Sequence, residues 1–259
     1  MKLFYRRIGT GEPILILHGL FGSSDNWMTI ATGLKDLGRI YLLDLRNHGR
    51  SPHSDLFNYS TMSEDVYEFL GDLNIRRITL IGHSMGGVIA MNFALIYPHR
   101  VQKLVVIDIA PRKYFIHYQN IVDGLLAIDI DKVKTRQEAD DQLSVFVEQE
   151  TVRQFLLKNL YRTTDGKYTW RLNLKIIAQN LANLGTGIQS NQSFLNPCLF
   201  IRGTLSDYIR DEDEPQIKKL FPSAEILTVK NTTHWLPAEE PEVIRSLIRT
   251  FLNQNKSLH

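Results

Sequence analysis

Four short apolar runs punctuate the first 110 residues: Ile14–Leu17, Arg39–Asp44 (RIYLLD), Ile78–Gly82 (ITLIG) and Lys103–Ile109 (KLVVIDI). Each is β-branched or Leu-rich and nearly continuous. A strand takes that form when a parallel sheet buries both of its faces. The longer stretches between them, Asp25–Leu37, Thr61–Leu73 and Met85–Tyr97, are amphipathic and read as helices. Ser60 or Thr61 stands where the second helix needs a cap, with Glu64 three residues after Thr61. Strands alternating with helices predict an α/β, doubly wound sheet. No internal repeat is visible, which excludes solenoids and propellers.

The rhythm breaks after Pro111. From Arg112 to about Ser193 the chain reads as helices at Phe115–Ile128, Ala139–Gln149, Thr151–Tyr161 and Leu172–Leu184, with no strand between them. Strand patterns resume at Pro197–Ile201 (PCLFI) and Ala224–Val229 (AEILTV), and a last helix runs from about Pro241 to Leu252. The expectation is a core of residues 1–111 and 194–259 interrupted by a mostly helical cap, residues 112–193. Such a block sits over the carboxyl ends of the strands, where open α/β sheets bind ligands.

Composition mainly excludes. At 259 residues, 43% hydrophobic and 22% charged, the chain can bury a sizeable core, and disorder and coiled coil fall away. The net charge of +2 lacks the basic bias of a nucleic-acid binder. That excess lies in residues 112–193, which hold 11 Lys+Arg against 9 Asp+Glu and read as a solvated helical surface. No apolar stretch reaches the roughly 18 residues of a membrane span. The opening MKLFYRRIGTGEP meets Gly and Pro too early to hold a signal-peptide core. The single cysteine, Cys198, excludes a disulfide framework and a Cys-based zinc site, so a reducing cytoplasm is the default expectation. Oligomeric state is not legible.

The chemistry concentrates in Gly82-His83-Ser84-Met85-Gly86, a G-x-S-x-G motif. It directly follows a strand pattern and directly precedes a helical one, the setting of a nucleophile elbow. A serine there sits on a tight, strained turn, and side chains at Gly82 and Gly86 would clash with neighbouring strand and helix. The helix starting near Met85 aims its N-terminal dipole at the reacting centre.

With His18-Gly19 after the first long strand and Asp44-x-Arg46-Asn47-His48-Gly49-x-Ser51 after the next, the chain resembles the α/β-hydrolase superfamily over essentially its full length. The strings HGLFGSSDNW, DLRNHGRS, GHSMGG and IDIAP resemble one subgroup, the YbfF-type bacterial esterases. The resemblance implies an α/β-hydrolase fold: a mostly parallel central sheet flanked by helices, with an inserted helical cap. In this fold the chain order is Ser, acid, His. His18, His48, His53 and His83 precede or abut Ser84; His99 ends the elbow helix, His117 falls in the inserted block and His259 is the last residue. That leaves His234, in NTTHWLP, which also matches the family position.

Two acids satisfy the order. Asp108 ends KLVVIDI, and Asp207 follows PCLFI in RGTLSDY. Most members carry the acid after the later strand, typically three residues beyond a glycine, but here that slot is Ser206, counted from Gly203, and Asp207 is one residue late. The YbfF-type group is expected to carry it in IDIAP, which favours Asp108 and leaves Asp207 the alternative. Met85, following the serine, supplies one oxyanion-hole N–H. By resemblance Leu20 supplies the other, with Phe21 the fallback. His18 is read as bracing that loop, and Asp44, Arg46 and His48 as fixing the next one.

Phe21, Trp27, Tyr114 and Trp235 flank these segments as candidate lining of an apolar substrate pocket. Cys198 reads as a small core residue. No metal cluster, Walker-type loop or G-x-G-x-x-G follows a strand, so neither metal nor cofactor is implied. The expectation is a serine hydrolase of small-molecule acyl esters or thioesters, working through an acyl-enzyme. Cofactor-free C–C bond hydrolases or lyases and haloperoxidases use the same Ser–His pair, and a weakly active ligand receptor is a further alternative. Epoxide hydrolases and haloalkane dehalogenases use a carboxylate nucleophile, whereas this elbow carries serine.

Overall fold

Continuous apolar runs become strands covered on both faces. In the computed structural model, which describes residues 1–115 and 118–254, the chain opens with β1 (Tyr5–Ile8), β2 (Pro13–Leu17), α1 (Met28–Thr32), β3 (Arg39–Leu43), α2 (Tyr59–Asp72), β4 (Ile78–His83), α3 (Met85–Ile96) and β5 (Val101–Ile107). His117 and His259 lie outside the described residues. After α4 (Gln119–Ala127), α5 (Arg136–Ser144), α6 (Glu150–Leu157), β6 (Leu160–Arg162), β7 (Tyr168–Trp170) and α7 (Leu174–Asn180), the α/β order returns. It continues through β8 (Cys198–Gly203), α8 (Glu214–Leu220), β9 (Ala224–Val229), α9 (Leu236–Glu239) and α10 (Pro241–Asn253).

Seven strands form one sheet in the order β1-β3-β2-β4-β5-β8-β9, all parallel except β1. Alternation along β2 explains its continuous apolar run. Leu15 and Leu17 join the cluster that holds α2 and α3, while Ile14 and Ile16 join the cluster with α1 and α10. The helix α3 is buried on nearly every side, as a helix apolar all round must be. No helix among the described residues is long and apolar enough to cross a membrane.

Several local expectations need correction. The apolar pattern predicts no strand at β1: YRRI is short and carries two arginines, and its partner β3 supplies the pairing at the sheet edge. Asp25–Leu37 is not one helix. A 3₁₀ turn over Ser24–Trp27 leads into the five-residue α1, which stops at Gly33. Asn58, not Ser60 or Thr61, caps α2: its Oδ1 accepts the Thr61 N–H at 3.0 Å. The helix expected through Tyr161 ends at Leu157, and β6 and β7 form an antiparallel hairpin instead. Asp165-Gly166 marks its turn, with Gly166 at φ 85°. The short helices α8 and α9 likewise lie outside the elements the pattern predicts.

Candidate active site

The elbow is built by close backbone approach. A Cβ on Gly82 would lie 2.2 Å from the Gly86 carbonyl oxygen, and one on Gly86 would lie 2.4 Å from that of Leu17. Only glycine lets β2, β4 and α3 meet here. Ser84 adopts φ 52°, ψ −121°, a conformation that costs about 1–3 kcal/mol and persists only where its surroundings impose it. Its N–H donates to Ile107 O at 2.9 Å, which ties the turn to β5. Asp108 leaves β5 in a left-handed conformation as well, φ 51°, with its N–H donating to Ile201 O at 2.8 Å.

Three side chains from three strand ends meet in one line. Ser84 Oγ lies 2.8 Å from His234 Nε2, and Asp108 Oδ2 lies 2.8 Å from His234 Nδ1. All three residues are buried. The carboxylate can only accept, so Nδ1 carries a proton and Nε2 is free to take one from Ser84. Asp108 Oδ1 accepts the Gly203 N–H at 3.2 Å, and the Ser206 hydroxyl donates to Oδ2. Asp207 is placed elsewhere. Its side chain is 90% exposed and faces Arg210 at 3.8 Å.

The loop after β2 is held by neutral imidazoles. His18 donates from Nδ1 to Gly19 O at 2.8 Å and accepts the Leu45 N–H at Nε2, 3.0 Å. His48 donates to Arg46 O at 2.9 Å and accepts the Phe21 N–H at 3.3 Å. Burial pulls both rings down, His18 to about 4 and His48 to about 3, the latter helped by its neighbour His18. The Phe21 N–H is therefore engaged away from Ser84. Among the described residues, the Leu20 and Met85 N–H groups have no hydrogen-bond partner.

Asp44 and Arg46 hold loops, as expected. Asp44 accepts the Ser24 N–H at 2.6 Å and the Arg50 N–H at 2.9 Å, and Arg46 grips Asp65 through two hydrogen bonds of 2.6 and 2.8 Å. His83, beside Ser84 in the motif, donates from Nε2 to the His234 carbonyl at 2.9 Å and so anchors the histidine loop. Burial lowers its ring to about 3.

Comparison with known proteins gives this geometry a lineage. Residues 12–241 match the family described as alpha/beta hydrolase fold. The chain belongs to the α/β-hydrolase family. It is 40% identical over 252 residues to the sn-1-specific diacylglycerol lipase ABHD11 of Danio rerio, covering 94% of this chain and 79% of that protein. It is 34% identical over 243 residues to Esterase YbfF of Escherichia coli strain K12, covering 93% of each. A solved structure, a marine microorganism esterase, superposes with a TM-score of 0.94 at 44% identity, covering 96% of this chain and 99% of that one.

In this α/β-hydrolase a cavity of about 150 Å³ opens beside Gly19 and His83. Trp27 and Trp235 line it, together with Phe155 and Lys158 from α6 and its end. Phe21 and Tyr114 do not. Phe21 is wholly buried beneath Tyr118, and the Tyr114 hydroxyl accepts the Ala110 N–H at 2.7 Å, bracing the segment that follows Asp108. The 112–193 block touches the loops directly. Asn159 Nδ2 donates to Phe21 O at 2.7 Å, and the Asn173 N–H donates to Asn47 O at 3.0 Å. Ser206, Asn159, Tyr118 and Tyr208 carry no sequence signal of their own, apart from Ser206 standing in the slot of the usual acid.

Proposed function

We propose that this α/β-hydrolase cleaves small carboxylic esters or thioesters through an acyl-enzyme on Ser84. The observation that carries the reading is the unbroken line Ser84–His234–Asp108, with 2.8 Å at both steps. Relatives named as esterase and lipase, alike over nearly the whole chain, support the substrate class. Ser84 Oγ attacks the acyl carbonyl while His234 Nε2 takes its proton. Asp108 holds the tautomer and steadies the imidazolium. The Leu20 and Met85 N–H groups receive the oxyanion, a reading supported by the engagement of the Phe21 N–H with His48. His234 then protonates the leaving group, and water frees the acyl-enzyme. The 112–193 block serves as a lid, with Trp27, Trp235 and Phe155 on the cavity wall.

The test combines turnover with trapping. The enzyme should hydrolyse p-nitrophenyl acetate, butyrate or octanoate, and a fluorophosphonate should inactivate it stoichiometrically with the adduct mapped to Ser84. Absence of turnover on all three esters, or inactivation without a Ser84 adduct, would sink the proposal.

Asn159 gives a narrower expectation. Its amide pins Phe21 O, two peptides from the Leu20 N–H, so Asn159→Ala should misaim that donor. The expected effect is a fall of about tenfold in kcat with KM changed less than about twofold, smaller than outright loss of an oxyanion donor. Steady-state kinetics on p-nitrophenyl butyrate read this, and a pure KM effect would show that Asn159 acts on binding instead.

A further inference from the structure

Two tyrosines complete the surroundings of Ser84 and stand outside its line with His234 and Asp108. Tyr208 stacks on the His234 ring, centroids 3.8 Å apart and planes 20° apart. Its hydroxyl donates to the Tyr118 hydroxyl at 2.8 Å. Tyr118 comes from the 112–193 block, meets the Phe21 ring edge-on at 5.9 Å, and sits close enough to the Ser84 side chain to interact with it electrostatically. A phenol has one proton to give. The Tyr208 hydroxyl, 2.8 Å away, can donate into the Tyr118 oxygen, which frees the Tyr118 proton for a group bound at Ser84. Burial keeps Tyr118 protonated well above the ordinary tyrosine range, so it is a neutral donor at any working pH.

The direction of that proton matters once an ester is bound. The carbonyl oxygen turns toward the Leu20 and Met85 N–H groups. The leaving oxygen must lie within reach of His234 Nε2, on the side where Tyr208 covers the imidazole and hands on to Tyr118. We infer that Tyr118 is a catalytic residue that donates a hydrogen bond to the leaving oxygen and makes the site selective for oxygen esters over thioesters. This rests on the acyl-enzyme reading above. As the tetrahedral adduct collapses, the carbonyl reforms, the C–O bond to the alkoxy group breaks and its electron pair stays on that oxygen. His234 Nε2 passes its proton to the oxygen and the alcohol departs. Tyr118 keeps its proton throughout, and its hydrogen bond strengthens as charge builds. Sulfur is a weak acceptor and a thiolate leaves easily, so the phenol gives a thioester little help.

The experiment compares kcat/KM for ethyl butyrate and S-ethyl thiobutyrate in wild type and Tyr118→Phe. Both substrates give the same acyl-enzyme, and kcat/KM reports its formation. The ester-to-thioester ratio should fall about tenfold or more in Tyr118→Phe. Tyr208→Phe, which removes the donor behind Tyr118, should lower the ratio in the same direction by less. Because each ratio is read within one preparation, partial misfolding does not change it. An unchanged ratio, with or without a parallel loss on both substrates, would overturn the inference while leaving the acyl-enzyme reading standing. No turnover of either substrate by wild type, with no Ser84 adduct, would overturn both.

Discussion

Asp108→Asn is expected to lower kcat on p-nitrophenyl butyrate by about 10⁴-fold and Ser84→Ala by about 10⁶-fold, while Asp207→Asn stays within about twofold. The asparagine change keeps the volume and alters only what the group can donate. Asp108 Oδ1 accepts the Gly203 N–H, so the amide oxygen of an asparagine settles there and its NH₂ faces His234 and Ser206. The Ser206 hydroxyl can rotate and accept. His234 cannot keep its proton on Nδ1 against a donor 2.8 Å away. The proton moves to Nε2, and Ser84 then has no base. The Asp207 carboxylate points into solvent and faces Arg210, so its loss changes nothing near Ser84. Kinetics on the three variants, with circular dichroism to verify folding, separate the two acids. A collapse in Asp207→Asn, or Asp108→Asn retaining a tenth of wild-type kcat, would mean that the buried line is not the working one.

The second large effect is on stability at acid pH. His18, His48 and His83 are buried and neutral, held down to about 4, about 3 and about 3 by desolvation. Two of them also use the ring in a way a second proton would break: His18 and His48 accept backbone N–H groups at Nε2. In the unfolded chain such rings titrate near 6.5. Below that pH the unfolded state takes up as many as three protons that the folded state refuses. Stability is therefore whole above about pH 7 and falls as pH drops through 6.5 toward 4. At about 1.4 kcal/mol per proton per pH unit, the slope near pH 5 approaches about 4 kcal/mol per unit. A domain of ordinary stability, about 5–15 kcal/mol, unfolds within about one to four units on that slope. Urea titrations at pH 7, 6 and 5 measure it. His48→Gln should reduce the slope by about one proton, and a slope below one proton in wild type would show that these rings titrate freely.

The amino-acid sequence by itself determined the parts of this protein that are local. Continuous apolar runs separated by amphipathic stretches yielded a parallel sheet with helices on both faces, because burial on two sides leaves no room for polar alternation. Gly82 and Gly86 flank Ser84 because backbone passes within van der Waals reach of both, and that constraint is written in the residues themselves. Where the pattern was short or mixed, the neighbours decided. The charged run of β1 becomes a strand because β3 offers it an edge, and the segment after Leu157 becomes a hairpin because Asp165-Gly166 lets it turn. The choice between Asp108 and Asp207 is left open by chain order, since both follow strands, and only the IDIAP resemblance leans to Asp108. It turns on how three loops converge, with Asp108 meeting His234 across 126 residues of sequence and Gly203 across 95. One residue of register puts Ser206 against Asp108 and turns Asp207 to solvent. Tyr118, Tyr208 and Asn159 reach the site in the same way, from segments with no motif. Their place is set by packing of the 112–193 block and the loop after β8 onto the sheet ends, which only the tertiary structure contains.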